Sequence, residues 1–206
     1  MPQKFDSRHK FRLLSEERQA ALQPEKLLRS AGLAEGMTLA DIGCGPGFFT
    51  IPAAQIVGEH GAVYAADIQG DMLSTVRARA SEAGLTNIHV IKTSDREIPI
   101  TPRSCDVVLL AFVIHEIESR ASFLHRAARL LKPDGRLVIL EWEKIEEEAG
   151  PPIEERMTPE DTLADAQAAG LQPVEERSLT PSQYLRVFQR ATAHPHAAHD
   201  PRPRSV

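Results

Sequence analysis

The stretch LADIGCGPGFFT, Leu39 to Thr50, sets three glycines and a proline in five consecutive positions behind a short apolar run. Glycine permits positive φ and, with no side chain, lets another group touch the backbone. The apolar "MTLADI", the glycines at 43, 45 and 47, and "FFTIPAAQIVG" from Phe48 read as strand, tight loop and helix. A helix that starts there leaves its first N–H groups open to a ligand. The loop is therefore read as a binding site, a tight turn that holds nothing being the lesser alternative.

Strands and helices alternate outward from this loop. "PEKLLRSAG" opens with Pro24 in a first-turn position and closes on Gly32, as a short helix does. "GAVYAAD" is a strand ending at Asp67, and "DMLSTVRARASEAG" places Met72, Val76 and Ala80 on one helical face. "NIHVIK", "CDVVLLAFV" and "GRLVILEW" read as buried strands, with the amphipathic helix "RASFLHRAARLL" between the last two. "TPEDTLADAQAAG" is a helix capped by Thr158, and "LQPVEERSL" and "YLRVFQR" are two terminal strands. The pattern predicts an α/β, doubly wound, Rossmann-like fold with a mostly parallel sheet and an antiparallel terminal strand.

Composition narrows the partners. The chain has 206 residues, 42% of them hydrophobic, and a net charge of −5, the size and balance of one globular domain. That mild acidity gives no basic face for nucleic acid, and a small-molecule partner fits better. No apolar run approaches the roughly 20 residues of a membrane span, so no stable membrane insertion is expected and the cytoplasm is the expected location. Cys44 and Cys105, the two cysteines, are read as reduced thiols. "ATAHPHAAHDPRPRSV" reads as a flexible tail over 191–206, its His194, His196 and His199 solvated and not a metal site. No metal is expected elsewhere.

In an open parallel sheet, ligands sit beyond the carboxyl ends of the strands, and the first strand–loop–helix unit is the usual place. Asp67, about 20 residues past Gly47, stands at the spacing from which a carboxylate accepts hydrogen bonds from an adenosine ribose. The order Asp41-Ile-Gly-Cys-Gly-Pro-Gly differs from the nicotinamide fingerprint, and an acid at Asp41 repels a pyrophosphate but suits an ammonium group. No Gly-Lys-Ser/Thr follows, which excludes a P-loop. A nicotinamide-dependent reductase is the weaker enzyme reading, and a cofactor-binding module without catalysis is the rival from another class.

These residues resemble the class I S-adenosylmethionine-dependent methyltransferases. "LADIGCGPG", "VYAADIQGDML", "KTSDREIPI", "CDVVLLAFVIHEI" and "LKPDGRLVILEW" follow that family's motifs in order, from about Pro24 to Arg190. The likeness leans towards the small enzymes similar to the ubiquinone/menaquinone biosynthesis methyltransferases. It implies S-adenosyl-L-methionine as cofactor, S-adenosyl-L-homocysteine as product and a small-molecule methyl acceptor; a homo-oligomer is compatible with it. Position by position, the resemblance implies that Gly43, Gly45 and Gly47 wrap the methionine portion and that Asp41 helps hold its amino end. Asp67 would accept the ribose hydroxyls, and Ile68 and Met72 would pack on adenine. Asp95 would accept from the adenine amino group, Arg96 would lie over the ring, and Ala111 would line the methyl-donor end. The methyltransferase domain would span 1–190, with the cofactor core at 24–142 and the acceptor side and terminal strands at 143–190.

An acceptor that carries a proton needs a base. His115 and Glu116 in "VIHEI", and Glu141 in "LEW", are the catalytic candidates, each set against an ordinary packing or solvated role. Trp142 and Tyr184 are candidates for the wall of the acceptor pocket. Asp106 opens its strand, at the opposite rim, and is expected to be structural.

Overall fold

A computed structural model of the chain describes residues 5–94 and 96–191. Among these, seven strands form one sheet: β1 (Thr38–Ile42), β2 (Ala62–Asp67), β3 (Ile88–Lys92), β4 (Cys105–Ala111), β5 (Leu131–Trp142), β6 (Leu171–Thr180) and β7 (Gln183–Arg190). Their order is β3-β2-β1-β4-β5-β7-β6. Pairs among β1 to β5 are parallel, and β7 runs antiparallel between β5 and β6. The predicted fold class holds, with both terminal strands joined to the sheet through β7.

The described residues form six α-helices: α1 (Glu16–Leu22), α2 (Pro24–Ser30), α3 (Thr50–Val57), α4 (Gly70–Glu82), α5 (Arg120–Ala128) and α6 (Pro159–Ala168). Side chains alternate across a strand, which divides the core in two. Leu39, Val107, Leu109, Val138 and Leu140 face α2 and α3, while Ala40, Val108, Leu110, Leu137 and Ile139 face α5 and α6. The buried stripe Met72, Leu73, Val76 and Ala80 fixes the inner face of α4.

Element ends follow local chemistry. Thr158 accepts from the Asp161 N–H at 3.1 Å while the Asp161 carboxylate accepts from the Thr158 N–H at 3.1 Å, a reciprocal cap for α6. Thr158→Ala is expected to cost about 1 kcal/mol, read as a lowered urea midpoint with an unchanged slope. β4 stops one residue past Leu110, two short of the expected strand, because Phe112 takes φ 61° and turns the chain out of the sheet. At the other rim, Asp106 accepts from the Thr38 N–H at 2.8 Å and from Lys132 Nζ at 2.7 Å.

The polar N-terminal lead is structured: a 3-10 helix over Ser7–Leu14 leads into α1 and lies across the carboxyl ends of the strands. No described helix is long and apolar enough to cross a membrane. Asp95 and the segment 192–206, with the three tail histidines, lie outside the described residues.

Candidate active site

β1 and β4 are neighbours whose chains leave towards opposite sides of the sheet, and such a switch point opens a crevice. There the chain encloses a cavity of about 500 Å³. Its floor is the loop after β1. Gly43 has φ 72°, and a Cβ added to it would come within 2.5 Å of Val113 Cγ2, so the residue must be glycine for the loop to pack against the turn after β4. Gly45 presents bare backbone, with only Leu13 of the N-terminal cover near a hypothetical Cβ. Gly47 corrects the expectation: it does not line the cavity but backs onto Val76 and Arg79 of α4. Arg79 then donates through Nη1 to the Pro46 and Gly47 carbonyls, clamping the loop from behind.

Two acids border this floor. Asp67 accepts from the Gly45 N–H at 2.9 Å and the Gln69 N–H at 2.8 Å, which fixes the carboxylate at the end of β2. Asp41 accepts from Thr50 Oγ1 at 2.6 Å and is buried. Burial pushes its pKa up to about 7 against the pull of the Thr50 hydroxyl, with the Asp67 charge adding to the rise. Ile68, Met72 and Ala111 line the cavity. Arg96 does not: it is exposed, and Thr93 and Ser94 stand at the wall instead.

The acceptor side is built around His115, in the 3-10 turn Ile114–Glu116 after β4. Its Nδ1 lies 2.9 Å from Oε2 of Glu141, a fully buried residue at the end of β5. Glu141 Oε1 accepts from the N–H groups of Ile114 and His115 at 2.8 and 3.3 Å. Glu141 therefore holds the turn and the ring and does not reach the cavity, which removes it as an independent base. Burial lowers the His115 pKa, but the charge and hydrogen bond of Glu141, helped by Glu116 and Glu155, outweigh it, and the net shift is upward. Glu116 Oε1 stands 4.0 Å from His115 Nε2 and accepts from the Phe5 N–H at 3.1 Å; burial raises its own pKa.

Aromatic rings and a stapled loop complete the wall. Phe112 and Trp142 pack with centroids 5.6 Å apart. The guanidinium of the buried Arg156 lies 5.4 Å from the Trp142 ring and donates to the carbonyls of Ile145, Glu147, Ala149 and Pro151. One side chain thus sets the path of the acidic segment after β5. Gly150 (φ 87°) meets Trp142 so closely that a Cβ would fall 2.8 Å from the ring. Tyr184 lies elsewhere, in the core, its hydroxyl 2.5 Å from Thr162 Oγ1 and its pKa raised by burial.

Sequence reasoning singled out no residue of the N-terminal cover, from which Phe5, Leu13 and Arg18 reach the cavity. Gln69 Nε2 donates to the Phe5 carbonyl at 3.0 Å, and Arg18 lies over the rings of Phe48 and Phe112. The residues present fit S-adenosylmethionine on a structural ground: a buried acid, Asp41, faces the cavity with no cation among the groups that shift it, and an ammonium supplies one.

Comparison with known proteins agrees. The ubiquinone/menaquinone biosynthesis C-methyltransferase UbiE of Vibrio vulnificus is 32% identical over 115 residues, 55% of this chain and 44% of that protein. The chain spans about half the length of the curated relatives it matches, 44% of this one and 51% of the Pseudoalteromonas translucida enzyme. The crystal structure of a SAM dependent methyltransferase from Aquifex aeolicus superposes with a TM-score of 0.85 at 32% identity, covering 90% of this chain and 98% of that one. The [4+2]-cyclase SpnF shares the fold alone (TM-score 0.74, 15% identity, 86% and 83% coverage), so the architecture by itself does not dictate the reaction. The sequence model of the methyltransferase domain family matches residues 33–192, and with it the chain belongs to the class I S-adenosylmethionine-dependent methyltransferases.

Proposed function

We propose that this protein methylates a small-molecule acceptor whose proton is taken by His115, and that residues 24–142 carry the cofactor while 143–190 shape the acceptor side. The observation that carries the reading is one cavity bounded at one end by the glycine loop with Asp41 and Asp67, and at the other by the His115–Glu141 pair. When bound, S-adenosylmethionine supplies a sulfonium methyl group open to displacement and leaves as S-adenosylhomocysteine. Asp41 answers its ammonium group. Asp67 holds the ribose, Gly43 and Gly45 give close backbone approach, and Ile68, Met72 and Ala111 supply apolar surface.

The carboxylate of Glu141 selects the tautomer of neutral His115 with the proton on Nδ1. Nε2 is then the acceptor site, and it is the atom to which the nucleophile's proton moves. Phe5 and Leu13 of the N-terminal cover, with Phe112 and Trp142, exclude water, which strengthens the electrostatics inside. Cytoplasmic location is part of this reading, in keeping with the two free, buried thiols Cys44 and Cys105.

The test is ligand-induced stabilisation. A ligand at about 100 times its dissociation constant adds roughly 2.7 kcal/mol, or about 5–10 °C for a domain of this size. S-adenosylhomocysteine is expected to give that shift in a thermal melt and NADH none; the reverse pattern would overturn the reading.

A further inference from the structure

The turn after β4 sets two hydrogen-bond acceptors side by side in the cavity wall. His115 Nε2, the ring nitrogen left open once Glu141 holds Nδ1, stands 4.0 Å from Oε1 of Glu116, and both residues line the cavity. That separation is too long for the two to bond each other. It suits one donor shared between them: an atom about 2.8 Å from each sees the two at roughly 90°, close to the angle between two hydrogens on one nitrogen. Oε1 of Glu116 also accepts from the Phe5 N–H at 3.1 Å, which fixes the carboxylate and leaves it further acceptor capacity. The charges that act on Glu116 include His115 and Glu141 on one side and Asp67 on the other. Glu116 therefore stands where the cofactor end of the cavity meets the His115 end.

Charge narrows what such a donor is. The charged groups that act on His115 are the carboxylates of Glu141, Glu116 and Glu155, with no cation among them. His115 is itself the one cation that acts on Glu116. Of the described arginines, Arg12 and Arg18 line the cavity from the N-terminal cover, and Arg18 lies nearest Phe48, at the end of the glycine loop. Arg156 spends its donors on four backbone carbonyls. An anionic nucleophile brought to Nε2 thus meets like charge, whereas an ammonium meets charge that compensates it. Burial raises the Glu116 pKa and the His115 charge lowers it, as for a carboxylate that gains from a cation beside it.

We propose that the methyl acceptor is a primary amine, and that Glu116 holds its ammonium group against His115 for methylation on nitrogen. This rests on the methyltransferase reading above, with His115 as the base. The ammonium gives one proton to Nε2, and the electron pair freed on nitrogen forms the bond to the methyl carbon. The carbon–sulfur bond breaks in the same step and its pair stays on sulfur, which leaves S-adenosylhomocysteine. The hydrogen facing Glu116 stays on nitrogen, so the secondary ammonium product keeps its counter-ion, and the proton on His115 passes to water. Ile117, Phe123, Trp142, Pro151 and Pro152 also line the cavity, so the amine is carried on an apolar body.

The experiment uses the full chain saturated with S-adenosylhomocysteine near pH 8, where an alkylamine is charged. It is titrated calorimetrically with benzylamine and 2-(aminomethyl)naphthalene, each against the matching alcohol. Both amines are expected to bind at least about 10-fold more tightly than their alcohols, the scale of one charge-assisted contact. Glu116→Gln keeps an oxygen for the Phe5 N–H and removes the charge. It is expected to erase that preference while the affinities for the alcohols and for S-adenosylhomocysteine stay within about twofold. Glu116→Asp, which keeps the charge one methylene further back, is expected to retain part of the preference and guards against loss of the fold in the first variant. Equal binding of amines and alcohols to the parent protein, binding of neither, or a preference that survives Glu116→Gln overturns the proposal. So does a tenfold loss of S-adenosylhomocysteine affinity in Glu116→Gln, which assigns Glu116 to the cofactor and leaves the methyltransferase reading intact. A parent chain that does not bind S-adenosylhomocysteine sinks both together.

Discussion

Replacing His115 by Gln will slow methylation of a protonated acceptor by about 10²–10⁴-fold, the usual contribution of a positioned general base, while S-adenosylhomocysteine affinity stays unchanged because the cofactor contacts come from other loops. In the parent enzyme kcat/KM will rise with pH through an apparent pKa above the ordinary histidine value of about 6.5, because Glu141 favours the imidazolium and only neutral His115 accepts a proton. Glu141→Gln will move that limb to lower pH, a change that mere packing does not produce. Folding stability responds with the opposite sign. A raised histidine pKa contributes stability that is full below the unfolded value of about 6.5 and is lost as pH climbs through the folded one. A pH profile with no ionisation near neutrality, together with parent-level rates in His115→Gln, would reduce His115 to a packing residue.

Asp41→Asn is expected to strengthen the apoprotein and weaken the complex. The unfolded chain ionises Asp41 above a pKa of about 3.9, while the folded chain keeps the proton up to about 7. Stability therefore falls as pH rises between those values, by on the order of 3–4 kcal/mol at 1.36 kcal/mol for each unit. Asparagine keeps an acceptor for the Thr50 hydroxyl and carries no charge, so the apo variant at pH 8 should unfold at higher urea, with a flatter pH dependence. Its affinity for S-adenosylhomocysteine should drop roughly 10–150-fold, the worth of a charge-assisted hydrogen bond. In the parent protein that affinity should also fall as pH drops below 7, where protonation of Asp41 competes with the ligand's ammonium group. An apo variant no more stable than the parent would mean that Asp41 is ionised at no cost in the fold.

The glycine loop and the strand that precedes it were legible because each needs residue types that serve little else: glycine at positive φ, and acids at the ends of buried apolar runs. Asp67 was readable for the same reason as an acid at the end of its strand, where it accepts from the Gly45 N–H of the glycine loop. Gly47 shared the local pattern but faces α4, since alternate positions in a tight loop point to opposite sides and sequence does not say which side holds the ligand. The early end of β4 had no signal either: Phe112 is an ordinary strand former whose φ of 61° is imposed by its surroundings. The elements of the N-terminal cover escaped because a short 3-10 helix and a seven-residue α-helix are too short to show an apolar period. Arg18 was hidden with it, since the two rings over which it lies are distant in the sequence. Glu141 was found as a candidate but not in its role, which depends on backbone N–H groups 26 and 27 residues away in the chain.

Arg156 bears on how this enzyme's choice of acceptor is able to change. Every hydrogen bond it makes within the segment after β5 ends on a carbonyl oxygen, an atom that every amino acid supplies. The course of that segment is thus encoded largely by one residue and by Gly150 against Trp142. Apart from Glu147, whose carboxylate stands 3.9 Å from Arg156, and Glu155, which acts on His115, the acidic positions strung along it are free to drift. Substitutions at them alter the size and charge of the pocket mouth on a backbone that stays where it is, so new specificities lie within single mutational steps that leave the scaffold intact.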